Sequence, residues 1–139
     1  MPYIVFSNEW AAAVAAAINA SPAYREAGRI WEGALLLAML GDTPAQQDLR
    51  VWLDLHQGTC RAARAATAAD EDQSRYVLSA TRSTWQAVLD GRLAPLMAIL
   101  TGKLKLTKGN LAELLPLVGA AKEMMAAASA VEAAWPEGG

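Results

Sequence analysis

The sequence is short of almost everything that chemistry at a protein site draws on. Among its 139 residues there is one cysteine, Cys60, and one histidine, His56. A single thiol forbids an intrachain disulfide and a cysteine-based metal cluster, and one imidazole among scattered carboxylates offers none of the spacings that hold zinc. Asp70-Glu71-Asp72 lacks the alternation and the glycine of a calcium loop and reads as a solvated loop. Neither Gly-x-Gly-x-x-Gly nor the P-loop pattern occurs, so nucleotide chemistry has no foothold. No metal and no cofactor is expected. Charge is scarce as well: twelve Lys and Arg against fourteen Asp and Glu leave a net charge of −2 and a pI near 5.3, far from the basic footprint of a nucleic-acid binder. The uncharged run Trp10–Ala23 has no basic residue before it, since Arg25 is the first, and it carries Asn19 and Pro22. It therefore reads as a surface helix of the fold, not as a signal peptide or a membrane span. The lone cysteine fits a reducing, cytoplasmic compartment.

What the chain does have is apolar residue, 54% of the total against 19% charged, where soluble domains average roughly 45–50% and 25%. Residues 1–139 are long enough for one domain with its own core. Much of the surplus is alanine, whose small side chain lets elements pack closely or leaves room inside.

Ser7 caps a first helix whose apolar face is Trp10, Val14, Ala17 and Ile18, with Phe6 packing back on its first turns, and Ser21-Pro22 opens a second short helix. Residues 7–30 are thus a helical opening. From Trp31 to Leu40 almost every position is apolar, the pattern of a strand buried on both faces. Gly41-Asp42-Thr43-Pro44 marks a turn, and Arg50–His56 alternates with Val51, Leu53 and Leu55 inward. Gln57-Gly58 makes a two-residue hairpin to a strand over Thr59–Ala68. That register sets Leu55 opposite Cys60 and Asp54 opposite Arg61, and it sends His56 and Cys60 to opposite faces. A fourth strand covers Arg75–Ala80. Thr81 caps a helix to Asp90 that buries Trp85, Val88 and Leu89, Pro95 opens a helix ended by Gly102, and Lys103–Lys108 forms a short edge strand. Asn110 starts a last helical stretch to Ala134 that Pro116 either bends or divides into two segments. The order specifies an α+β fold, a single sheet with helices mainly on one face.

The string Trp85…Val88-Leu89-Asp90-Gly91…Pro95…Ala98-Ile99-Leu100-Thr101-Gly102-Lys103-Leu104-Lys105-Leu106, with Gly109 beyond it, resembles the type-2 sterol carrier protein family. Asn110 stands where that family more often has Asp. Val51-Trp52-Leu53-Asp54-Leu55 with Gly58, and Tyr24 with Trp31, resemble the first half of a prokaryotic branch, so the likeness runs nearly the whole chain. It implies a five-stranded, mixed, mostly antiparallel sheet under helices, with an apolar tunnel between the layers that holds an acyl chain, an acyl-CoA, a sterol or another apolar ligand, and it implies no catalytic residues.

On that reading the tunnel is lined by Trp10, Val14, Trp31, Leu35, Leu37, Trp85, Leu89, Met97, Leu100, Leu111, Leu114, Leu115, Met124 and Met125. The three tryptophans serve equally well as cavity walls or as plain core. The methionines adapt to irregular volumes. Lys103, Lys105 and Lys108 read as outward lysines that protect a sheet edge, or else as a basic strip for an acidic head group and a transient contact with an anionic membrane. Two competing readings stand beside the carrier: an interaction or oligomerisation module whose tunnel is vestigial and whose apolar surface pairs with another subunit, a homodimer among the options, and a small-molecule enzyme centred on His56 and Cys60.

Overall fold

A computed structural model of the chain describes residues 2–41 and 47–135; the turn expected at Gly41-Asp42-Thr43-Pro44 lies, beyond Gly41, outside the described residues. The elements in chain order are β1 (Tyr3–Ile4), α1 (Asn8–Asn19), α2 (Pro22–Ala27), β2 (Glu32–Leu40), β3 (Leu49–His56), β4 (Thr59–Ala66), β5 (Tyr76–Thr81), α3 (Arg82–Leu89), α4 (Pro95–Leu100), β6 (Lys105–Lys108), α5 (Leu111–Leu114), α6 (Val118–Ser129) and β7 (Ala133–Ala134). Short 3-10 turns occupy Gly28–Ile30, Ala68–Gln73 and Leu115–Leu117. The main sheet has five strands in the order β4-β3-β2-β5-β6. It is mixed, with β2 and β5 parallel and the other pairs antiparallel.

The caps explain where the first helices begin. The Ser7 hydroxyl accepts from the Trp10 amide at 3.2 Å and the Ser21 hydroxyl from the Tyr24 amide at 3.1 Å, each satisfying one of the donors a helix start leaves free. Phe6 stacks on Trp10 with ring centroids 5.4 Å apart. The buried face of α1 is Trp10, Ala11, Val14 and Ile18, with Ala11 taking the place expected of Ala17. Among the described residues no helix is long and apolar enough to cross a membrane.

The helices gather on one face of the sheet, where Leu35, Leu37, Val51, Leu53, Leu55, Tyr76 and Leu78 are buried. The central strand β2 is buried on both sides from Ala34 to Met39, as its unbroken apolar run demands. On the opposite face Leu36, Ala38 and Val77 form a small second cluster against Ala66.

That second cluster explains two departures from the sequence pattern. The strand expected over Thr59–Ala68 stops at Ala66, and the expected acidic loop is the 3-10 turn Ala68–Gln73. Because β4 and β5 point the same way across two intervening strands, their connection must traverse the sheet, and it does so over the second face. Charges pin it there. Arg64 holds Asp70 through two bonds of 2.9 and 3.1 Å, Arg50 Nε donates to Glu71 at 3.0 Å, and Lys108 Nζ donates to the carbonyls of Glu71 and Asp72. Asp70 also accepts from the Thr67 amide at 2.8 Å. These donors, the Arg64 guanidinium first, hold its carboxyl well below the usual carboxylate range. A depressed folded-state value contributes stability above the unfolded carboxylate's pKa and loses it as pH falls toward the folded value. Asp70→Asn is therefore expected to flatten the acid limb of a stability-against-pH curve below about pH 4 while leaving its neutral-to-alkaline slope unchanged, read by urea unfolding at successive pH values.

Other boundaries shift for equally local reasons. A bulge between Asp54 and Leu55 sets Ala62 opposite Asp54, yet Arg61 still reaches that carboxylate with two bonds of 3.1 Å. The edge strand expected from Lys103 begins at Lys105, because Lys103 and Leu104 are held in the turn after α4 by bonds from their amides to the Ala98 carbonyl. The last helical stretch is divided around Pro116, one of the two outcomes that proline allows, and ends at Ser129 instead of Ala134. Beyond it β7 pairs in parallel with β1, a two-stranded sheet that the sequence pattern does not announce. The open edge of β4 is closed by α1: the Asn19 side chain both donates to the Cys60 carbonyl at 2.9 Å and accepts from its amide at 2.8 Å, and Asn8 accepts from the Ala65 amide at 2.8 Å.

Candidate functional site

Helix α6 is the centre of the helical layer and touches α1, α2, α3 and α4. Its buried residues are Ala120, Ala121, Met124, Met125 and Ala128. Alanine brings the backbone close to its neighbours, and the only bulky, conformationally adaptable side chains on that buried face are the two methionines.

The expected tunnel residues fall into two groups. Trp10, Val14, Trp31, Leu35, Leu37, Trp85, Leu89, Leu114, Met124 and Met125 are all buried in one contiguous core. Trp85 bridges the layers, its indole Nε1 donating to the Ala38 carbonyl at 2.9 Å, and Trp31 meets Tyr76 edge-on at 5.8 Å. Met97, Leu100, Leu111 and Leu115 lie outside that core, 50, 63, 44 and 44% exposed. Met97 and Leu100 share a face of α4, and Lys103 follows in the turn tied to that helix by the bond from its amide to the Ala98 carbonyl. Lys105, which pairs with Ser79, and Lys108, whose ammonium is committed to the carbonyls of Glu71 and Asp72, belong to the far face of the sheet.

Two clefts border α6. One, of about 230 Å³, lies between β1, α1 and the C-terminal segment and is walled by Val5, Trp10, Leu89, Val131 and Trp135, with Asp90 and Glu132 on its lining. The indole nitrogen of Trp10 is buried without a hydrogen-bond partner among the described residues. The other, of about 220 Å³, runs between the α3–α4 turn and α6, where Val88, Leu93, Pro95 and Met125 make an apolar wall. Sequence reasoning reaches Leu89 and Met125 but passes over Val88, Leu93, Pro95 and Lys122 as lining. The available signal is the position of the Gly91–Pro95 turn beside the one basic residue of α6.

The His56 and Cys60 pair is separated by the sheet. Cys60 pairs with Leu55 and shares its buried face, while His56 pairs with Thr59 on the other. Burial pushes the Cys60 thiol up to about 11, which leaves it protonated and poorly nucleophilic at neutral pH. Tyr24 lies against Gly28, its hydroxyl buried and pushed above the ordinary phenol range by desolvation.

A five-stranded mixed sheet with its helices gathered on one face is the architecture of the sterol carrier protein 2 structures. The chain belongs to the SCP-2 sterol transfer family, whose model matches residues 14–122. A crystal structure of sterol carrier protein 2 is 41% identical, with a TM-score of 0.83 over 91% of this chain and 98% of that one. A solution structure of a conserved hypothetical protein from Thermus thermophilus, described as a candidate sterol carrier protein, is 40% identical over 97% and 94% of the two chains, also at 0.83. The sterol carrier protein 2 of Aedes aegypti in complex with palmitate shares the fold at 17% identity, with a TM-score of 0.52 over 88% and 96%. No curated protein matches the chain.

Proposed function

We propose that this protein binds and transfers a lipid without catalysing a reaction, holding an apolar chain against α6 from the cleft that the α3–α4 turn makes with it. The observation that carries the reading is the apolar cleft between the α3–α4 turn and α6, backed by Met125, with Met124 buried beside it in the core. Its 220 Å³ is below the roughly 300–1,000 Å³ of a site that engulfs a drug-sized molecule. A long chain therefore enters by displacing side chains, and methionine is the residue that yields most cheaply. Family membership and the palmitate held by the Aedes relative support the same reading. Met97 and Leu100, with Lys103 just beyond the end of α4, supply an apolar surface with a basic residue at its edge, suited to contact with an anionic membrane during delivery.

Titration with fluorescent fatty acids of increasing length tests this. Each buried methylene is worth about 0.8 kcal/mol, so affinity should rise by up to roughly fourfold per methylene until the space is full. Met125→Trp should weaken binding of the long chains by about tenfold or more, and overpacking should cost it no more than ~1–3 kcal/mol of stability. Wild type without chain-length-dependent binding overturns the carrier reading. A stable ligand-free dimer in sedimentation would then favour pairing of two copies through the exposed α4 face.

A further inference from the structure

Resting on the carrier reading, we infer that Lys122 is the head-group residue of the cleft between the α3–α4 turn and α6, and that it selects single-chain amphiphiles with an anionic head over neutral ones. Lys122, Met125, Ala126 and Ser129 all line the cleft. Their spacing of i, i+3, i+4 and i+7 puts them on one face of α6, so the helix presents a continuous track from a cation, past a thioether, to small side chains. Facing it across the slot are Val88, Leu93 and Pro95. Polar side chains on this lining come from Lys122 and Ser129, and the Ser129 hydroxyl is already donating to the Ala126 carbonyl at 2.8 Å.

No carboxylate lines the slot among the described residues. Asp90, at the start of the α3–α4 turn, is paired with Arg92 at 3.1 Å. Lys122 itself takes part in none of the ion pairs seen among the described residues and is exposed. A lysine so placed lays its methylene stem along the apolar wall and keeps the ammonium at the water-filled mouth. The complement of that arrangement is a molecule with one acidic end and one apolar chain. A compact ammonium accepts a carboxylate or a phosphate alike, without the bidentate fork by which arginine would choose between them.

The test titrates the full chain with palmitic acid, hexadecyl phosphate and hexadecanol, each by displacement of one fluorescent probe, in wild type, Lys122→Gln and Arg29→Gln. The last removes an equal charge outside the slot. Lys122→Gln should lose about three- to tenfold in affinity for the acid, the phosphate or both, the ligand affected naming the head group, and should leave the alcohol unchanged. The loss should vanish near 1 M salt, where the Debye length falls to about 3 Å. Arg29→Gln should match wild type. Because Lys122 is exposed, its variants should melt with wild type. Three results overturn the inference while leaving the carrier reading intact: equal loss for acid and alcohol, which would make Lys122 a packing stem; acid selectivity untouched by Lys122→Gln; or selectivity that disappears instead in a Lys103→Gln, Lys105→Gln double variant. If wild type binds none of the three, the carrier reading falls and the inference with it.

Discussion

Trp85→Ala is expected to lower the unfolding free energy by about 3–5 kcal/mol, the range for truncating a fully buried aromatic side chain. The indole has no exposed surface, packs against Phe6 at 5.7 Å and ties α3 to the centre of the sheet through its bond to the Ala38 carbonyl. Truncation leaves a void that the sheet below cannot close, and it removes the hydrogen bond that ties α3 to β2. The comparison is Trp52→Ala. That ring lies half-buried on the second face under the Arg64 guanidinium, 4.8 Å from its centroid, and its loss should cost clearly less. Denaturant unfolding of the two variants measures both. A Trp85→Ala loss below about 2 kcal/mol would show that the indole faces space already empty, as a wall of an open tunnel would.

The second large effect belongs to Gly58. The hairpin between β3 and β4 turns through Gln57 at φ 49° and Gly58 at φ 88°, the left-handed conformations that such a two-residue connection requires. The turn is also pressed onto α2, because a Cβ on Gly58 would stand 2.6 Å from the Arg25 carbonyl oxygen. Gly58→Ala therefore combines the left-handed penalty of roughly 1–2 kcal/mol with a clash against backbone that cannot rotate away, for a total of about 2–4 kcal/mol. Gly91→Ala separates the two contributions. Gly91 has φ 79° but open space around its Cβ position, so only the conformational part should appear in its urea midpoint. Equal losses in the two variants would refute the clash.

Most of this fold is written in features of short range. The Ser7 and Ser21 caps, the doubly apolar β2, the alternation of β3 and the Gln57-Gly58 turn each act within a few residues, and each stands where the pattern puts it. The opposition of His56 and Cys60 follows from the same period of two. What the pattern could not carry depends on partners distant in the chain. Residues 68–73 look like a solvated acidic loop until Arg50, Arg64 and Lys108 are known to converge on them. The pairing of β1 with β7 joins two segments too short to declare themselves as strands. At the candidate site the distinction is sharper still: helical spacing finds which residues are apolar, and so it groups Met97 and Leu100 with Met124 and Met125. Which side of α4 meets α6 is decided by tertiary packing, which buries Ala98 and Pro95 and leaves Met97 and Leu100 in water. Lys122 is invisible for a similar reason, since an exposed lysine on a helix means little until the cleft beside it is seen.

The parallel pairing of β2 with β5 has a kinetic consequence. The β2–β3–β4 meander can assemble from neighbouring segments, but β5 joins it only after its connection has crossed the sheet and Leu35 has found Tyr76. Pairings so distant in sequence close slowly, which puts the chain among the millisecond-to-second folders. In the interval the Leu35-Leu36-Leu37 stretch is an unpaired edge, apolar on both sides and free of charge, open to strand addition by another copy. Refolding yield should therefore depend on protein concentration more steeply than the stability of the finished fold would suggest, with the arrival of β5 as the step that ends the exposure.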